Sequence, residues 1–452
     1  MTRRTFLRYL AAGSVLLTTA CGATPTLTPT PTRQRATATP TPRSASSPAP
    51  TTVKSTATPA LSTPTKAAAT VTTVPSAATP TKPQATTAPV GQPTMNPGGS
   101  RMPSPDFGVH VFLGYSDAAT QRDITLAKNA GFTWVKQRID WDALSPDEQG
   151  QMKPDVLAKY DAIVNAVAAG GLKLLIRVGS PPTWSTRLRA TAPNPPPDNL
   201  TETGPLANFL YGLATRYQGK VAAWQIWNEP NLRREWGKPP DAGEYARLLK
   251  TAYHSIKAAD ANALVISAGL SPTGTMPPEA VPDDMYLEQM YQAFANRSSS
   301  GYFDVLGAHG AGYKAPPEMD PAQVAADKSY GGHRSFCFRR VEDLRAVMEK
   351  YGDGKKQVAL LEFGWVIDGG AKLDPSYRWH AVSAEKQAEY IVGAYKWAKE
   401  KWSAWIGVMT VIYILSPDFA DTGEYYWWGI TNPDGTPRPA YTAFKAWRQT
   451  GR

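Results

Sequence analysis

From about Pro103 onward, short apolar stretches rich in β-forming residues alternate with stretches of helical spacing. The strand-like stretches are 107–113, 132–139, 172–178, 221–228, 263–270, 302–308, 357–363 and 404–414. The helical stretches are 117–130, 154–170, 204–218, 241–260, 283–298, 335–352, 383–402 and 437–448. Eight strands, each followed by a helix, over about 350 residues predict an α/β fold, the (β/α)8 TIM barrel with enlarged loops.

A doubly wound open sheet is the competing α/β architecture. That fold places a glycine-rich phosphate-binding loop after its first strand. The loop after 107–113 reads Gly114-Tyr115-Ser116-Asp117 and lacks such a pattern. The barrel is therefore favoured.

The first hundred residues differ sharply from the barrel region in composition. They contain no Asp or Glu, and Thr, Pro, Ala and Ser dominate. Nine basic residues lie there, so the formal charge of +10 leaves +1 for residues 101–452 (10 minus 9). The excess of positive charge therefore lies almost entirely in this N-terminal tail, and we expect no nucleic-acid binding by the folded part.

The extreme N-terminus is typical of an export signal. Residues 2–8 resemble the twin-arginine signature, and the apolar stretch 9–17 is too short to span a bilayer. Residues 17–22, Leu-Thr-Thr-Ala-Cys-Gly, resemble a bacterial lipobox. We interpret residues 1–20 as a lipoprotein signal peptide and Cys21 as the lipidation site, which predicts location at the extracytoplasmic face of the cell membrane. An ordinary cleaved signal, giving a secreted protein, is the alternative.

Residues 21–102 are predicted to be a disordered linker, since Thr-Pro repeats and Ala/Ser runs cannot bury enough apolar surface to fold. Dense proline favours extended polyproline II, which suits a stalk between an anchor and a domain at 103–452. Cys337 is the only other cysteine, and we interpret it as a core thiol. We expect a monomer that meets the membrane only through its lipid.

Two glutamates occupy the ends of strand-like stretches. Glu229 follows the fourth and Glu362 closes the seventh, 133 residues apart (362 minus 229). In a barrel both positions lie at the C-terminal mouth, where two facing carboxylates are the minimum equipment for cleaving a glycosidic bond. An isolated glutamate at a strand end is more often a solvated or ion-paired residue, so the prediction depends on the pair.

The tripeptide Asn228-Glu229-Pro230, together with Glu362, resembles clan A of the glycoside hydrolases, the retaining (β/α)8 group. The longer run 226–232 is most similar to family 39 and the cellulase-like family 5. The resemblance covers roughly residues 105–450. It implies Glu229 as general acid/base, Glu362 as nucleophile and Asn228 as a hydrogen-bond donor to the sugar 2-hydroxyl.

The same resemblance implies further roles. Arg138, at the end of the second strand, matches an arginine that stabilises the ionised nucleophile, although a structural ion pair is the alternative. His309, after the sixth strand, matches a histidine near the active centre, although it could be a satisfied buried histidine. The sequence departs from the family where 310–312 precede Tyr313, the expected aromatic partner of the nucleophile. It departs again in 408–413, which lack the usual tryptophan.

Tryptophans in loops at the mouth are candidates for stacking on sugar rings, because an aromatic face is apolar while its rim stays wet. They are Trp184, Trp236, Trp365, Trp379, Trp427 and Trp428. Packing of long loops is the alternative, and we expect about half of them to contact substrate. The tryptophans at 134, 224, 402 and 447 are predicted to pack within the fold.

No metal-ligand spacing, Gly-x-Ser-x-Gly motif or P-loop occurs in the sequence, and we expect no metal or cofactor. The sequence thus predicts a retaining O-glycoside hydrolase acting on a poly- or oligosaccharide. The alternatives are a carbohydrate-binding protein on the same barrel and a transglycosylase.

Overall fold

The computed structural model describes residues 102–145, 151–188 and 191–451. The predicted signal peptide, Cys21 and the linker up to residue 101 lie outside these residues. The strands are β1 (Asp106–His110), β2 (Trp134–Asp140), β3 (Lys173–Gly179), β4 (Val221–Ile226), β5 (Leu264–Ile266), β6 (Leu306–Ala311), β7 (Val358–Gly364) and β8 (Ile406–Val411).

The α-helices are α1 (Asp117–Ala130), α2 (Trp141–Leu144), α3 (Pro154–Ala169), α4 (Pro205–Arg216), α5 (Arg233–Trp236), α6 (Ala242–Ala259), α7 (Asp283–Ala293), α8 (Pro321–Ala326), α9 (Val341–Lys350), α10 (Pro375–Arg378), α11 (Ala384–Lys401), α12 (Glu424–Trp428) and α13 (Pro439–Gln449). Single 3₁₀ turns lie at Thr183–Ser185, Ala295–Arg297, Lys328–Tyr330, Phe338–Arg340 and Gly370–Lys372. Most of the short helices and turns enlarge loops that follow strands.

The strands pair in parallel in the order β5-β4-β3-β2-β1-β8-β7-β6. Parallel bridges join Ile266 to Val305 and Leu270 to Ala308, so the two end strands meet and the sheet closes. This confirms the predicted (β/α)8 barrel. Each of the eight predicted strands and helices overlaps an observed one.

Local signals explain where the barrel helices begin and end. The Ser116 side chain accepts from Ala119 N at the start of α1, and Asp241 does the same for Glu244 N at the start of α6. Helix α1 ends at Gly131, whose φ of 89° lies in the left-handed region that glycine adopts without strain. Capping of this kind satisfies backbone groups that a helix leaves unpaired at its ends.

The lower part of the barrel interior is apolar. Its members are Met102, Trp134, Leu175, Ala223, Leu264, Ile266, Val305, Ala359, Leu361 and Val408. The helices cover the outside of the sheet with a second, larger apolar layer that includes Trp224, Trp402 and Trp447, which are buried as predicted. Cys337 is a buried free thiol, which confirms the core interpretation, and burial raises its pKa to about 12.

Along each strand every second side chain faces the barrel interior, and these inward positions change from apolar residues in the lower part to polar residues above. On β2 the inward positions run from Trp134 to Lys136, Arg138 and Asp140, and on β3 they run from Leu175 to Arg177. The interior therefore changes from apolar to charged toward the C-terminal mouth. Within the described residues, the helices are too short or too polar to cross a bilayer.

Candidate active site

A bulge in β7 directs Glu362 into the barrel. Leu360 pairs with Ala308, but Glu362 pairs with His309, so β7 holds one extra residue opposite β6. Leu361 already faces the interior, and strict alternation would turn the next residue outward. The extra residue re-aims the strand, as bulges beside active sites commonly do. Glu362 and His309 thereby lie side by side at the mouth.

Glu229 lies on a strained turn three residues beyond the end of β4. Trp227 and Glu229 both have positive φ, 70° and 41°, in a region that residues with a Cβ rarely adopt. The turn is held by neighbouring groups, since the Trp227 indole donates to Asn194 O at 2.8 Å and Glu229 N donates to Gly269 O at 3.2 Å. The surrounding structure thus fixes where the carboxylate points.

Three basic side chains surround the Glu362 carboxylate. Its Oε1 accepts a hydrogen bond from Lys136 Nζ at 2.8 Å and lies 3.6 Å from His110 Nδ1 and 3.7 Å from Arg177 Nη1. Burial by itself raises the pKa of Glu362. Electrostatic interactions with Lys136 above all, and with His309, His110 and Arg177, outweigh that effect and hold the pKa of Glu362 well below its usual range. Glu362 is therefore an anion at neutral pH.

Burial also lowers the pKa values of Lys136 and His110. Lys136 is fully buried, and burial, only partly offset by Glu362, lowers its pKa to about 8. Burial and then the charge of Lys136 bring the pKa of His110 well below its ordinary value, so this histidine is neutral at neutral pH. Stacking against Phe112, with ring centroids 5.1 Å apart, fixes its ring.

Glu229 has a different set of partners. Its Oε1 lies 2.9 Å from His309 Nδ1, and its Oε2 lies 3.6 Å from Arg234 Nη2. Burial raises the pKa of Glu229, but the hydrogen bond and electrostatic interaction with His309, together with the charge of Arg234, bring it below the ordinary value. The nearby Glu362 anion raises it again. One glutamate is thus paired with a lysine and the other with a histidine.

Gly269, just after β5, makes room for His309. A Cβ at this position would lie 2.1 Å from the imidazole ring, a distance at which atoms overlap. The glycine is therefore a requirement of the close approach between this loop and the histidine.

Arg138 does not take the position that the sequence predicted. Its Nη2 pairs with Asp140 Oδ2 at 2.8 Å, and about 40% of its side chain is exposed. Among the described residues, the cations within 4 Å of Glu362 are Lys136, Arg177 and His110 when protonated. The basic neighbours of this glutamate come from the interior of β2 and β3 and from the end of β1.

Several buried polar atoms at the mouth have no hydrogen-bond partner among the described residues. They include Asn228 Oδ1, His309 Nε2 and Arg177 Nε. Buried polar groups in folded proteins are rarely left unpaired, and exceptions cluster where a ligand supplies the partner. Their position around Glu229 and Glu362 indicates a binding site for a polar molecule.

The predicted aromatic residues divide into two sets. Trp236 and Trp365 are 0% exposed, and their indole nitrogens donate to Glu244 and to Ala315 O, so neither offers a face to substrate. Trp428 is also buried. The Tyr313 hydroxyl donates to Pro272 O at 3.1 Å, and the ring stacks on Trp379, so its hydrogen bond does not go to Glu362.

The remaining aromatics are partly exposed. Trp427 lies half-buried over Gly369, and Trp379 is 38% exposed beside Tyr313. Trp184 packs edge-on against Trp141 and lines a cavity of about 300 Å³ with Asp198 and Asn199. These three tryptophans present surface that a sugar could contact.

Sequence reasoning missed four charged residues of the site: Lys136, Arg177, Arg234 and Glu235. Glu235 accepts from Asn194 Nδ2 at 2.7 Å, and burial, followed by repulsion from Glu229, raises its pKa. Period-two alternation was the available signal for the first two, because each follows an apolar inward residue of its strand. No group of three or more metal-ligating side chains occurs in the described part of the chain.

Comparison with known proteins gives one family match. Residues 94–296 match the model of the cellulases, glycosyl hydrolase family 5. This segment contains β1 to β5 and Glu229 and ends before β6, β7 and Glu362. No curated protein matches the chain.

Solved structures with TM-scores above 0.5 share the fold. GH5_18 from Streptomyces cattleya, in complex with Manb1-4GlcNAc, is 16% identical with a TM-score of 0.55, covering 77% of this chain and 81% of that one. A glucosidase from Croceicoccus marinus is 16% identical with a TM-score of 0.52, covering 77% and 68%. A family 39 glycoside hydrolase from Bacteroides cellulosilyticus WH2 is 20% identical with a TM-score of 0.49, covering 76% of this chain, which spans only 63% of that structure.

The barrel and the family match agree with each other, because the matched segment supplies the first five strands of the closed sheet. The chain thus has a (β/α)8 barrel whose first five strands are similar to the family 5 cellulases, and the protein is a glycoside hydrolase.

Proposed function

We propose that this glycoside hydrolase is a retaining enzyme that cleaves O-glycosidic bonds of a poly- or oligosaccharide, with Glu362 as nucleophile and Glu229 as acid/base. The observation that carries the proposal is the difference between the surroundings of the two glutamates. Glu362 is held as an anion by buried cations, whereas Glu229 shares a hydrogen bond with a histidine. Double displacement needs one carboxylate of each kind.

In the first half of the reaction, Glu362 attacks the anomeric carbon and the bond to the leaving oxygen breaks. The leaving oxygen takes a proton from Glu229, and a glycosyl ester forms on Glu362. Asn228 is buried beside Glu229 and its Oδ1 has no partner among the described residues, which supports a role in bonding a sugar hydroxyl.

The proton on Glu229 has a source within the site. The lowered pKa of Glu229 favours its ionised form in the free site, and Glu229 Oε1 lies 2.9 Å from His309 Nδ1, within reach of direct proton transfer. A proton that reaches His309 Nδ1 can therefore pass directly to Glu229 Oε1 and make the acid. Substrate binding favours the protonated form of Glu229, because removing water from a buried carboxylate raises its pKa.

In the second half, Glu229 takes a proton from water, and the water oxygen attacks the anomeric carbon. The ester bond breaks and Glu362 returns to its anionic form. The sugar leaves with the configuration that it had in the substrate.

The test joins activity with detection of the ester. Glu362→Gln and Glu229→Gln are assayed on a panel of aryl glycosides and polysaccharides, and the first-formed sugar anomer is identified by NMR. A 2-deoxy-2-fluoro aryl glycoside should leave a mass increment on a peptide that contains Glu362. Full turnover by both variants, or release of the inverted anomer, would refute the proposal.

Two further outcomes separate the alternatives. Transfer of the glycosyl group to added sugar in preference to water would mark a transglycosylase. Sugar binding with no product from any substrate in the panel would mark a binding protein on the same barrel.

We also propose export as a lipoprotein, with Cys21 lipidated. The support is the twin-arginine and lipobox pattern at residues 2–22. In a bacterial host, the wild-type protein should partition into detergent with the membrane fraction, and Cys21→Ser should move it to the soluble phase. Identical partitioning of both forms would contradict lipidation.

A further inference from the structure

Lys136 stands out among the groups that contact Glu362, because it is a fully buried lysine on the interior of β2. Its Nζ donates to Glu362 Oε1 at 2.8 Å and to Leu361 O at 2.9 Å. Arginine keeps its charge at every accessible pH, whereas a buried lysine loses its proton readily. The hydrogen-bond partner of Glu362 is therefore a cation that can lose its charge by deprotonation.

Charged and titratable groups face Lys136 from several strands. Glu362 on β7 and Glu229 beyond β4 favour its protonated form, whereas Arg177 on β3 opposes it. His110 on β1 is neutral, His309 lies beside Glu362, and Tyr413 beyond β8 has a pKa well above the ordinary value. Burial is the largest influence, and together these groups lower the pKa of Lys136 to about 8. The Glu362 anion is the main group that keeps the proton on it.

The proposed reaction changes the charge of Glu362 in opposite directions in its two halves. Attack on the anomeric carbon converts the anion to a neutral ester, so a neighbouring cation stabilises the starting state more than the transition state. Hydrolysis of the ester restores the anion, so the same cation stabilises the transition state. A protonated Lys136 therefore assists the second half only.

Building on the proposed function, we propose that Lys136 is a positioning residue that stabilises Glu362 as the departing carboxylate of the glycosyl-enzyme, so that ester hydrolysis requires the lysine proton and ester formation does not. In the ester, the anion that kept the proton on Lys136 is gone, while burial and Arg177 still act against it. Ester hydrolysis should then slow as the pH rises, and this loss should occur at a pH below the pKa that Lys136 has in the enzyme without the ester.

The experiment uses an aryl glycoside with an activated leaving group, chosen because a burst of released phenol shows that ester hydrolysis limits kcat. Under that condition kcat reports the second half of the reaction and kcat/KM reports the first. Both are measured against pH for the wild type, Lys136→Arg and Lys136→Met. Lys173→Met serves as the control, because Lys173 pairs with Asp106 at the other end of the barrel.

We expect the alkaline limb of kcat to move to higher pH in Lys136→Arg, while the alkaline limb of kcat/KM stays in place. Lys136→Met should lower kcat about 10- to 100-fold, the worth of a charge-assisted hydrogen bond, and change kcat/KM less. Its burst should be retained and its KM lowered, because the ester accumulates. The control should show wild-type values.

A purely structural role for Lys136 would lower the thermal stability and both kinetic constants together, and that result would overturn the proposal. A kcat that shows no alkaline limb in the wild type would also overturn it, and this measurement needs no variant to fold. Failure to trap an ester on Glu362 would instead refute the proposed function itself, so the two failures are distinguishable.

Discussion

His309 Nδ1 lies 2.9 Å from Glu229 Oε1, and the ring reaches that position only because residue 269 is glycine. The histidine comes from β6 and the glutamate from the turn after β4, so the contact crosses the barrel mouth over the end of β5. It links the proposed acid/base to a second group that can hold its proton.

His309→Ala should reduce the supply of a proton to the leaving oxygen. We expect kcat/KM to fall about 100-fold for glycosides with poor leaving groups and much less for activated aryl glycosides, which leave without protonation. His254→Ala, on helix α6 and outside the site, is the control. An equal loss on both substrate types would argue that His309 acts only on folding.

Gly269→Ala should displace the histidine ring, because the added Cβ would overlap it at 2.1 Å. We expect a loss of about 1–3 kcal/mol in the free energy of unfolding, typical of overpacking, together with the leaving-group dependence described for His309→Ala. Gly354→Ala is the matched control, since its Cβ would meet neighbours at an ordinary 3.5 Å. Wild-type kinetics in Gly269→Ala would show that the ring is free to move.

Glu362→Gln should make the protein less stable at neutral pH, because Lys136 and Arg177 lose their counter-charge. The pKa of Glu362 is depressed in the folded state, so its ionised form contributes stability above the unfolded pKa of about 4.3. That contribution is lost as the pH falls through the folded pKa. Urea unfolding of the wild type and Glu362→Gln is measured from about pH 3 to about pH 7, and the difference between their free energies of unfolding should become smaller toward acid pH. A difference that does not change with pH would contradict this linkage.

Buried and rim tryptophans should behave differently when truncated. Trp236→Ala and Trp365→Ala remove fully buried rings and should cost about 3–5 kcal/mol of stability. Trp379→Ala and Trp427→Ala should leave the melting temperature nearly unchanged and raise KM for polymeric substrate. Thermal melts of all four variants measure stability, and steady-state kinetics with binding isotherms measure the interaction with polymeric substrate. An unchanged KM in Trp379→Ala and Trp427→Ala would show that these two tryptophans do not contact substrate.

The fold was largely predictable because its signals are local. Apolar, β-rich runs such as 172–178 and stretches of helical spacing such as 383–402 each reveal their own structure, and their alternation implies the barrel. The strand-end positions of Glu229 and Glu362 follow from the same alternation. Glu229 nevertheless lies three residues beyond β4, since the positive φ of Trp227 belongs to a turn that alternation does not describe.

The partners of the glutamates were less predictable. Arg138 and Arg177 are paired residues on β2 and β3, yet only Arg177 comes within 4 Å of Glu362. Which of two neighbouring arginines reaches a carboxylate depends on side-chain geometry that spacing does not encode. The burial of Trp236 and Trp365 likewise depends on tertiary packing that sequence spacing does not encode.

The sequence by itself determined the barrel and the strands at whose ends the two glutamates lie, because hydrophobic period and strand order are properties of neighbouring residues. The glycoside hydrolase activity was predicted from the resemblance of the two glutamate motifs to a known family. Only the tertiary structure decided that a bulge turns Glu362 inward, that Lys136 is its hydrogen-bonded partner and that His309 pairs with Glu229. These contacts join residues from 80 to 226 positions apart, and their charges become decisive only when closure of the barrel removes them from water.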